Sequence, residues 1–403
     1  MTIESVNMRS LVAWDDPDEA DLIALYLGVD EQEGFVTTDR EEFVRQAEEG
    51  GNWDIILMSI GTADDDADFE FFRRVRRLLP DCPIVGACHA SNLIRVARYI
   101  TNGMRSHVTR DAAGDYMFLL QVALESTVEA VRAEREQLVS ERLREEIESV
   151  RKLQQSIIPK DLDSPAGYQV AGRYESSQIR VFGGQPVVMA GGDYYDIFML
   201  DDKSMVFLVG DASGHGMKAC MSIMTMHTLV RMIRSDAYRD TASFVAEVNQ
   251  RLCEQAIVQD EGGFITLLYG ILNAETHEFQ WTSAGHPIPM LQELETGIVR
   301  PLGTIDDGGL PLAIIEEAEY DTHSSHVPPN CRLLIYTDGL EEAFPDGNRD
   351  HDQFGIEGIE RTLLASAKVP IEEAIKALFD ESEAYTKGAG RHDDTSVVLL
   401  ERE

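Results

Sequence analysis

Four short segments place an aspartate at a strand end or turn. They are Gly191-Gly192-Asp193-Tyr194-Tyr195-Asp196, Gly210-Asp211-Ala212-Ser213-Gly214-His215-Gly216, Tyr336-Thr337-Asp338-Gly339 and Asp393-Asp394-Thr395-Ser396. An all-oxygen donor set of carboxylates and carbonyls, without His or Cys, suits a hard divalent cation such as Mg²⁺ or Mn²⁺. Glycine beside the aspartate in the first three lets the backbone turn tightly and lets a ligand approach. Any one of these segments alone reads as an ordinary turn. They span most of the second half of the chain, so spacing does not by itself bring them together. The elements that would position them are apolar strands: Met205 to Val209 before the second segment, Arg332 to Ile335 before the third, Val397 to Leu400 after the fourth. Phe264 to Leu272 reads as a further strand, and Cys220 to Ile233 and Thr241 to Gln255 read as helices.

The chain has 403 residues, enough for two to three domains at roughly 150 residues each. Residues 1–118 alternate strands and helices. Asp54 to Ile60 and Pro83 to Ala87 are continuous apolar runs of strand length, as in buried parallel strands. Arg9 to Trp14 is a shorter strand, followed by the acidic pair Asp15 and Asp16. Leu22 to Leu27, Phe69 to Leu79 and Asn92 to Ile100 have helical spacing. This alternation predicts an α/β doubly wound parallel sheet. Residues 119–157 contain no Gly or Pro and are rich in helix formers, and the helical run starting near residue 116 would reach about 60 Å. Leu124, Val131 and Leu138 recur every seven residues, as do Leu143, Val150 and Ile157 in a shifted frame. That is the pattern of a two-stranded coiled coil with a local irregularity, and it predicts a homodimer through the linker. Pro159 ends the helix, and residues 158–403 form the remaining domain.

Asp and Glu number 72 against 35 Lys and Arg, a formal net charge of −37. Such a balance argues against nucleic acid, whose phosphates need cations, and against an anionic membrane surface. The 43% hydrophobic content supports packed cores. Cys82, Cys88, Cys220, Cys253 and Cys331 are scattered and form no CxxC pair, which favours reduced thiols in a cytoplasmic protein. The N-terminus lacks the basic and apolar regions of a signal peptide, and no apolar run is long enough to cross a membrane.

Two resemblances follow from these segments. Residues 1–118 resemble a response-regulator receiver domain. The acidic pair Asp15 and Asp16 matches, but the phospho-acceptor position falls on Ser59, the Thr/Ser position on Cys88 and the Lys-Pro position on Arg110-Asp111. A serine hydroxyl does not form an acyl phosphate, so the resemblance implies a degenerate, partner-binding receiver.

From Gln154-Gln155-Ser156-Ile157-Ile158-Pro159 to the C-terminus, the chain resembles PPM/PP2C-type Ser/Thr phosphatases of the SpoIIE and RsbU-like bacterial branch. Ser283-Ala284-Gly285-His286-Pro287 belongs to that likeness. The resemblance implies an α+β fold, a β-sandwich with helices on both outer faces. It implies two Mn²⁺ or Mg²⁺ ions, with Asp211 bridging, the carbonyl of Ala212 adding an oxygen, Asp193 on one ion, and Asp338 and Asp393 on the other. Such a pair of ions activates a water for attack on a phosphoserine or phosphothreonine. It further implies a phosphorylated STAS-domain protein as substrate, and control passed from the N-terminal domain through the linker to Met217–Gln255. Ser213 stands where eukaryotic relatives carry a His, and His215 is expected to pack in its turn. His286 is expected to be a structural turn residue, Asp196 and Asp394 to be solvated or to support the ligands, and the methionines from Met217 to Met226 to be core. Two rivals remain: a non-catalytic signalling scaffold on the same folds, and a GGDEF-type cyclase, which needs an acidic residue where Tyr194 stands and leaves the other three segments unexplained.

Overall fold

The computed structural model describes residues 8–27, 34–49, 52–62, 64–111, 114–179, 187–188, 190–233, 237–259, 262–345, 348–349 and 351–403. The chain divides into two compact units, one ending at Arg142 and the other beginning at Leu143.

The first unit contains β1 (Ser10–Ala13), α1 (Pro17–Leu27), β2 (Gly34–Thr37), α2 (Arg40–Glu49), β3 (Ile55–Ser59), α3 (Asp65–Leu78), β4 (Ile84–His89), α4 (Leu93–Ile100) and β5 (Ser106–Arg110). The strands pair in parallel in the order β2-β1-β3-β4-β5. This is a doubly wound sheet with helices on both faces, as the alternation predicted. β3 and β4 are legible as apolar runs because both faces are covered. β2 and β5 are the edges, and their mixed sequences, GFVT and SHVTR, carry no such run. One face packs Leu11, Ile56 and Met58 against Phe43, Phe72 and Tyr99. The other packs Val12, Leu57 and Val85 against Ile23, and against Tyr116, Leu120 and Leu124.

Those last two leucines belong to α5 (Met117–Ile157), a single helix of 41 residues. Its first part is therefore a structural helix of the first unit. Leu124 and Val131, proposed as seam residues, are buried, whereas Leu138 and Leu143 are 54% and 58% exposed. The apolar stripe left for a partner helix is correspondingly shorter than the heptad pattern implies.

The acidic pair is used internally. Arg110, only 4% exposed, donates to Asp15 at 2.6 Å and to Glu19 at 2.5 Å. Glu19 also accepts from Trp14 Nε1 at 2.9 Å and Tyr116 Oη at 2.7 Å. Asp16 accepts from the backbone N–H groups of Asp18 and Glu19, holding the first turn of α1. Ser59 ends β3, and Cys88 is buried in β4.

The second unit opens with β6 (Tyr168–Glu175), β7 (Gln178–Ile179), β8 (Val187–Val188), β9 (Asp193–Asp201) and β10 (Ser204–Ala212). Then come α6 (Met217–Met232), α7 (Thr241–Cys253), α8 (Ala256–Gln259), β11 (Ile265–Asn273), β12 (Glu278–Ala284), β13 (Met290–Glu293), β14 (Val299–Pro301), β15 (His323–His326), β16 (Cys331–Tyr336), α9 (Gly355–Ala365), α10 (Ile371–Tyr385) and β17 (Thr395–Arg402). Two antiparallel sheets, β15-β12-β11-β10-β9 and β14-β13-β16-β17-β6, stack face to face. Met205, Phe207 and Val209 of β10 point into the sandwich against Leu333, Ile335 and Val398. The alternate residues Val206 and Leu208 pack outward with α6 and α7. Leu334, Tyr336 and Val397 pack outward with α9 and α10. This two-residue alternation builds a helix–sheet–sheet–helix layering, the β-sandwich flanked by helices that was expected.

Arg110→Ala leaves Asp15 and Glu19 facing a vacated buried site. The expected cost is about 3 kcal/mol, read as a lower urea midpoint in the tryptophan fluorescence of the full chain, with Trp14 and Trp53 reporting on the first unit. An unchanged midpoint would show the ion cluster to be dispensable.

Candidate metal centre

The four aspartate segments converge at one end of the sandwich. Asp193 opens β9 and Asp211 lies near the end of β10, directly opposite each other in the antiparallel ladder. Asp338 sits in the single turn after β16, and Asp393 just before β17. β16 and β17 are neighbours in the other sheet. Each sheet thus brings two segments together.

Close approach explains the glycines beside the aspartates. A Cβ on Gly192 would lie 2.7 Å from the carbonyl oxygen of Ala212 and 3.0 Å from Asp211 Oδ1. A Cβ on Gly339 would overlap the carbonyl of Asp394. These glycines let the first segment press on the second, and the third on the fourth.

Thr337, fully buried, ties the sheets together. Its hydroxyl donates to Asp193 Oδ2 at 2.7 Å and accepts from the Ser396 N–H at 2.8 Å. Asp394 is 1% exposed rather than solvated, and accepts from the N–H groups of Ser177 (2.8 Å) and Gly192 (2.6 Å). Gln154, at the end of α5 and fully buried, clamps the first segment. Its Oε1 accepts from the Gly191 N–H at 2.8 Å and its Nε2 donates to the Asp193 carbonyl at 3.1 Å. Sequence reasoning assigned Thr337 and Gln154 no role. The only available signal was their place beside Asp338 and within the Gln-Gln-Ser-Ile-Ile-Pro segment.

Other expectations are corrected. Asp196 is buried, not solvated; it accepts from Tyr194 Oη at 3.0 Å and pairs with Arg231 of α6. His215 is exposed rather than packed in its turn. Ser213 is structural, its hydroxyl accepting from the Phe264 N–H at 2.9 Å. His286 is 3% exposed, with Nδ1 3.0 Å from Thr266 Oγ1 and its backbone bonded to Ser283, as expected of a turn residue. Met226 is core, but Met217 and Met221 are 50% and 45% exposed.

The electrostatics identify what the cluster lacks. Burial, then repulsion from Asp211 and Asp394, holds the Asp193 carboxyl well above the usual range. Burial, then Asp338 and Asp393, does the same to Asp211. Burial and the facing acids push Asp338 up to about 6, and burial with Asp394 pushes Asp393 to about 6. Asp338 Oδ1 is buried without a hydrogen-bond partner. Among the described residues, no three His, Cys, Asp or Glu side chains are already closed into a ligating group. Buried and half-buried carboxylates that repel one another, with an orphaned oxygen, are nevertheless the donor set a hard cation fits.

A β-sandwich between helix layers, with acidic residues converging at one end, defines a PP2C-type phosphatase fold. The SiaA-PP2C domain of Pseudomonas aeruginosa shares it: TM-score 0.51, 14% identity, 66% of this chain and 99% of that one. Residues 201–403 match the family Stage II sporulation protein E (SpoIIE), and the chain belongs to that family. Asp211, Asp338 and Asp393 lie inside the matched region and Asp193 before it. The phosphoserine phosphatase RsbU of Bacillus subtilis is 25% identical over 222 residues, 54% of this chain and 61% of that protein. Protein IcfG of Synechocystis sp. is 25% identical over 282 residues, 64% of this chain and 41% of its own length. The chain thus spans about half the length of these relatives.

A carboxyl held above its ordinary range keeps its proton more tightly in the folded chain. Its contribution favours folding below about pH 4 and is lost as pH rises through about 6. Without divalent ions at pH 7.5, Asp338→Asn and Asp393→Asn should therefore each be more stable than wild type, by up to roughly 2 kcal/mol. The gap should close near pH 4.5, and added Mn²⁺ should stabilise wild type more than either variant. Thermal unfolding with EDTA or Mn²⁺ measures this; a gap independent of pH would contradict the repulsion.

Proposed function

We propose that the protein is a metal-dependent protein serine/threonine phosphatase of bacterial signalling. The observation that carries the reading is the convergence of Asp193, which is buried, with the half-buried Asp211, Asp338 and Asp393 as a repelling set in a PP2C-type fold. These four side chains and the carbonyl of Ala212 would hold two Mn²⁺ or Mg²⁺ ions, which when bound supply an acidified water and offset the charge of a phosphate. Asp394 and Thr337 hold the segments that carry the ligands, and Gln154 holds the backbone of Asp193.

The substrate we propose is a phosphorylated STAS-domain protein of a partner-switching pathway. RsbU of Bacillus subtilis, named a phosphoserine phosphatase, supports that class. The first unit acts as a degenerate receiver: Arg110 already neutralises Asp15, and Ser59 stands at the acceptor position. Its signal would travel along α5, with two copies meeting along the exposed stripe around Leu138 and Leu143. Gln154 gives that route an end point, because displacing the end of α5 removes both bonds to the first segment. A cytoplasmic setting fits the scattered thiols, and no described helix is long and apolar enough to cross a membrane.

Asp211→Asn should reduce Mn²⁺-dependent hydrolysis of para-nitrophenyl phosphate and of a phosphoserine peptide at least 100-fold, about 2.7 kcal/mol of barrier. Turnover absent in wild type under every divalent ion, and identical in the variant, would favour the scaffold reading. Gln154→Ala should retain the fold and raise the Mn²⁺ concentration for half-maximal turnover several-fold; an unaltered Mn²⁺ dependence would separate α5 from the site.

A further inference from the structure

A cleft of about 890 Å³ opens from the Asp338 end of the site. Its inner end is made by Thr266, His286, Tyr336 and Asp338, and Ile288, Met290 and Pro301 line its apolar wall. The rim carries Ile305, Leu310 and Ile356, which are 92%, 47% and 50% exposed. Single exposed aliphatic residues are common, but three around one cleft beside a reactive site mark a contact surface.

The charges are one-sided. Asp306, Glu319 and Glu341 line the cleft besides Asp338, and among the described lining residues there is no Lys or Arg. Asp306 and Glu319 are exposed, and neither is engaged in any described ion pair. The Glu341 carboxyl is instead satisfied by Tyr336 Oη. The two outer carboxylates are free to meet cations brought by a partner.

We infer that this cleft seats the chain flanking the phosphorylated residue of the substrate. The flanking segment carries an aliphatic side chain for the Ile305–Leu310–Ile356 rim, and a Lys or Arg for Asp306 and Glu319. The inference rests on the phosphatase reading and adds a substrate preference to it. The cleft reaches Asp338, so a side chain presented there continues directly into a segment lying along the apolar wall. Cationic flanks also lower the cost of bringing a phosphate dianion to a surface as acidic as this one. An acidic flank meets only carboxylates.

The test uses four phosphoserine peptides of equal length, labelled with fluorescein. They carry Leu or Ala, combined with Lys or Glu, at matched positions on both sides of the phosphoserine. With Mn²⁺ and the full chain, kcat/KM is expected to be at least tenfold higher for the Leu/Lys peptide than for the Ala/Glu peptide. The double variant Asp306→Lys, Glu319→Lys should reverse the order of Lys and Glu, and Ile305→Asp should abolish the preference for Leu. Para-nitrophenyl phosphate, which does not reach the rim, should be hydrolysed at the wild-type rate by all variants. Equal kcat/KM across the four peptides, or variants that slow para-nitrophenyl phosphate as much as peptide, overturns the inference while leaving the phosphatase reading intact. Should neither peptide nor para-nitrophenyl phosphate be hydrolysed, the phosphatase reading fails. Fluorescence anisotropy of the same peptides then decides the cleft: binding of the Leu/Lys peptide lost on charge reversal supports it, and binding indifferent to sequence overturns it.

Discussion

Like charges buried together repel, and the second unit is organised around holding that repulsion in place. Asp193 is buried and Asp211, Asp338 and Asp393 are half-buried, and desolvation with repulsion from neighbouring carboxylates raises the proton affinity of all four. Left alone, such a cluster would open or keep its protons. It is held by rigid neighbours instead. Two of its members are ladder partners on β9 and β10, and the other two flank the adjacent strands β16 and β17. The sandwich core of Phe207, Trp281 and Leu333 then fixes one sheet on the other. A divalent cation at this end of the fold would relieve that repulsion.

The supporting polar groups share a feature: each spans two segments distant in sequence. Thr337 joins Asp193 to Ser396, Asp394 joins Ser177 to Gly192, and Gln154 joins α5 to the strand that begins with Asp193. Backbone N–H and carbonyl groups are partners in most of these bonds, so that, apart from Thr337 on Asp193, they leave the carboxylates of the four aspartates unengaged. The placement of Gln154 gives the end of α5 a direct hold on the site. The first unit buries the opposite end of the same helix through Leu120 and Leu124.

The first unit has resolved a similar problem differently. Asp15, Glu19 and Arg110 form a closed network with Trp14 and Tyr116, so the acidic residues after β1 are neutralised by a cation built into the chain. The first unit supplies its own positive charge; among the described residues, no ion pair engages Asp193, Asp211, Asp338 or Asp393.

Much of this was legible in sequence. Aspartate at a strand end or turn marked all four site segments, with glycine beside it in the first three, and continuous apolar runs marked the central strands β3, β4 and β10, because burial on both faces leaves no polar positions. The helix Met117–Ile157 was legible because nothing in it breaks a helix. Edge strands β2 and β5 escaped, since half-exposed strands have no distinctive composition. Asp196 and Asp394 were left open between solvent and a supporting role, and the exposure of His215 escaped, because an isolated polar residue looks the same in sequence whether buried or solvated. Tertiary structure alone decided which carboxylates meet. Strand pairing between segments far apart in the chain sets those distances, and it depends on packing across the whole sandwich rather than on local spacing. The sequence by itself determined the donor chemistry; the stacking of two sheets decided that the donors face one another.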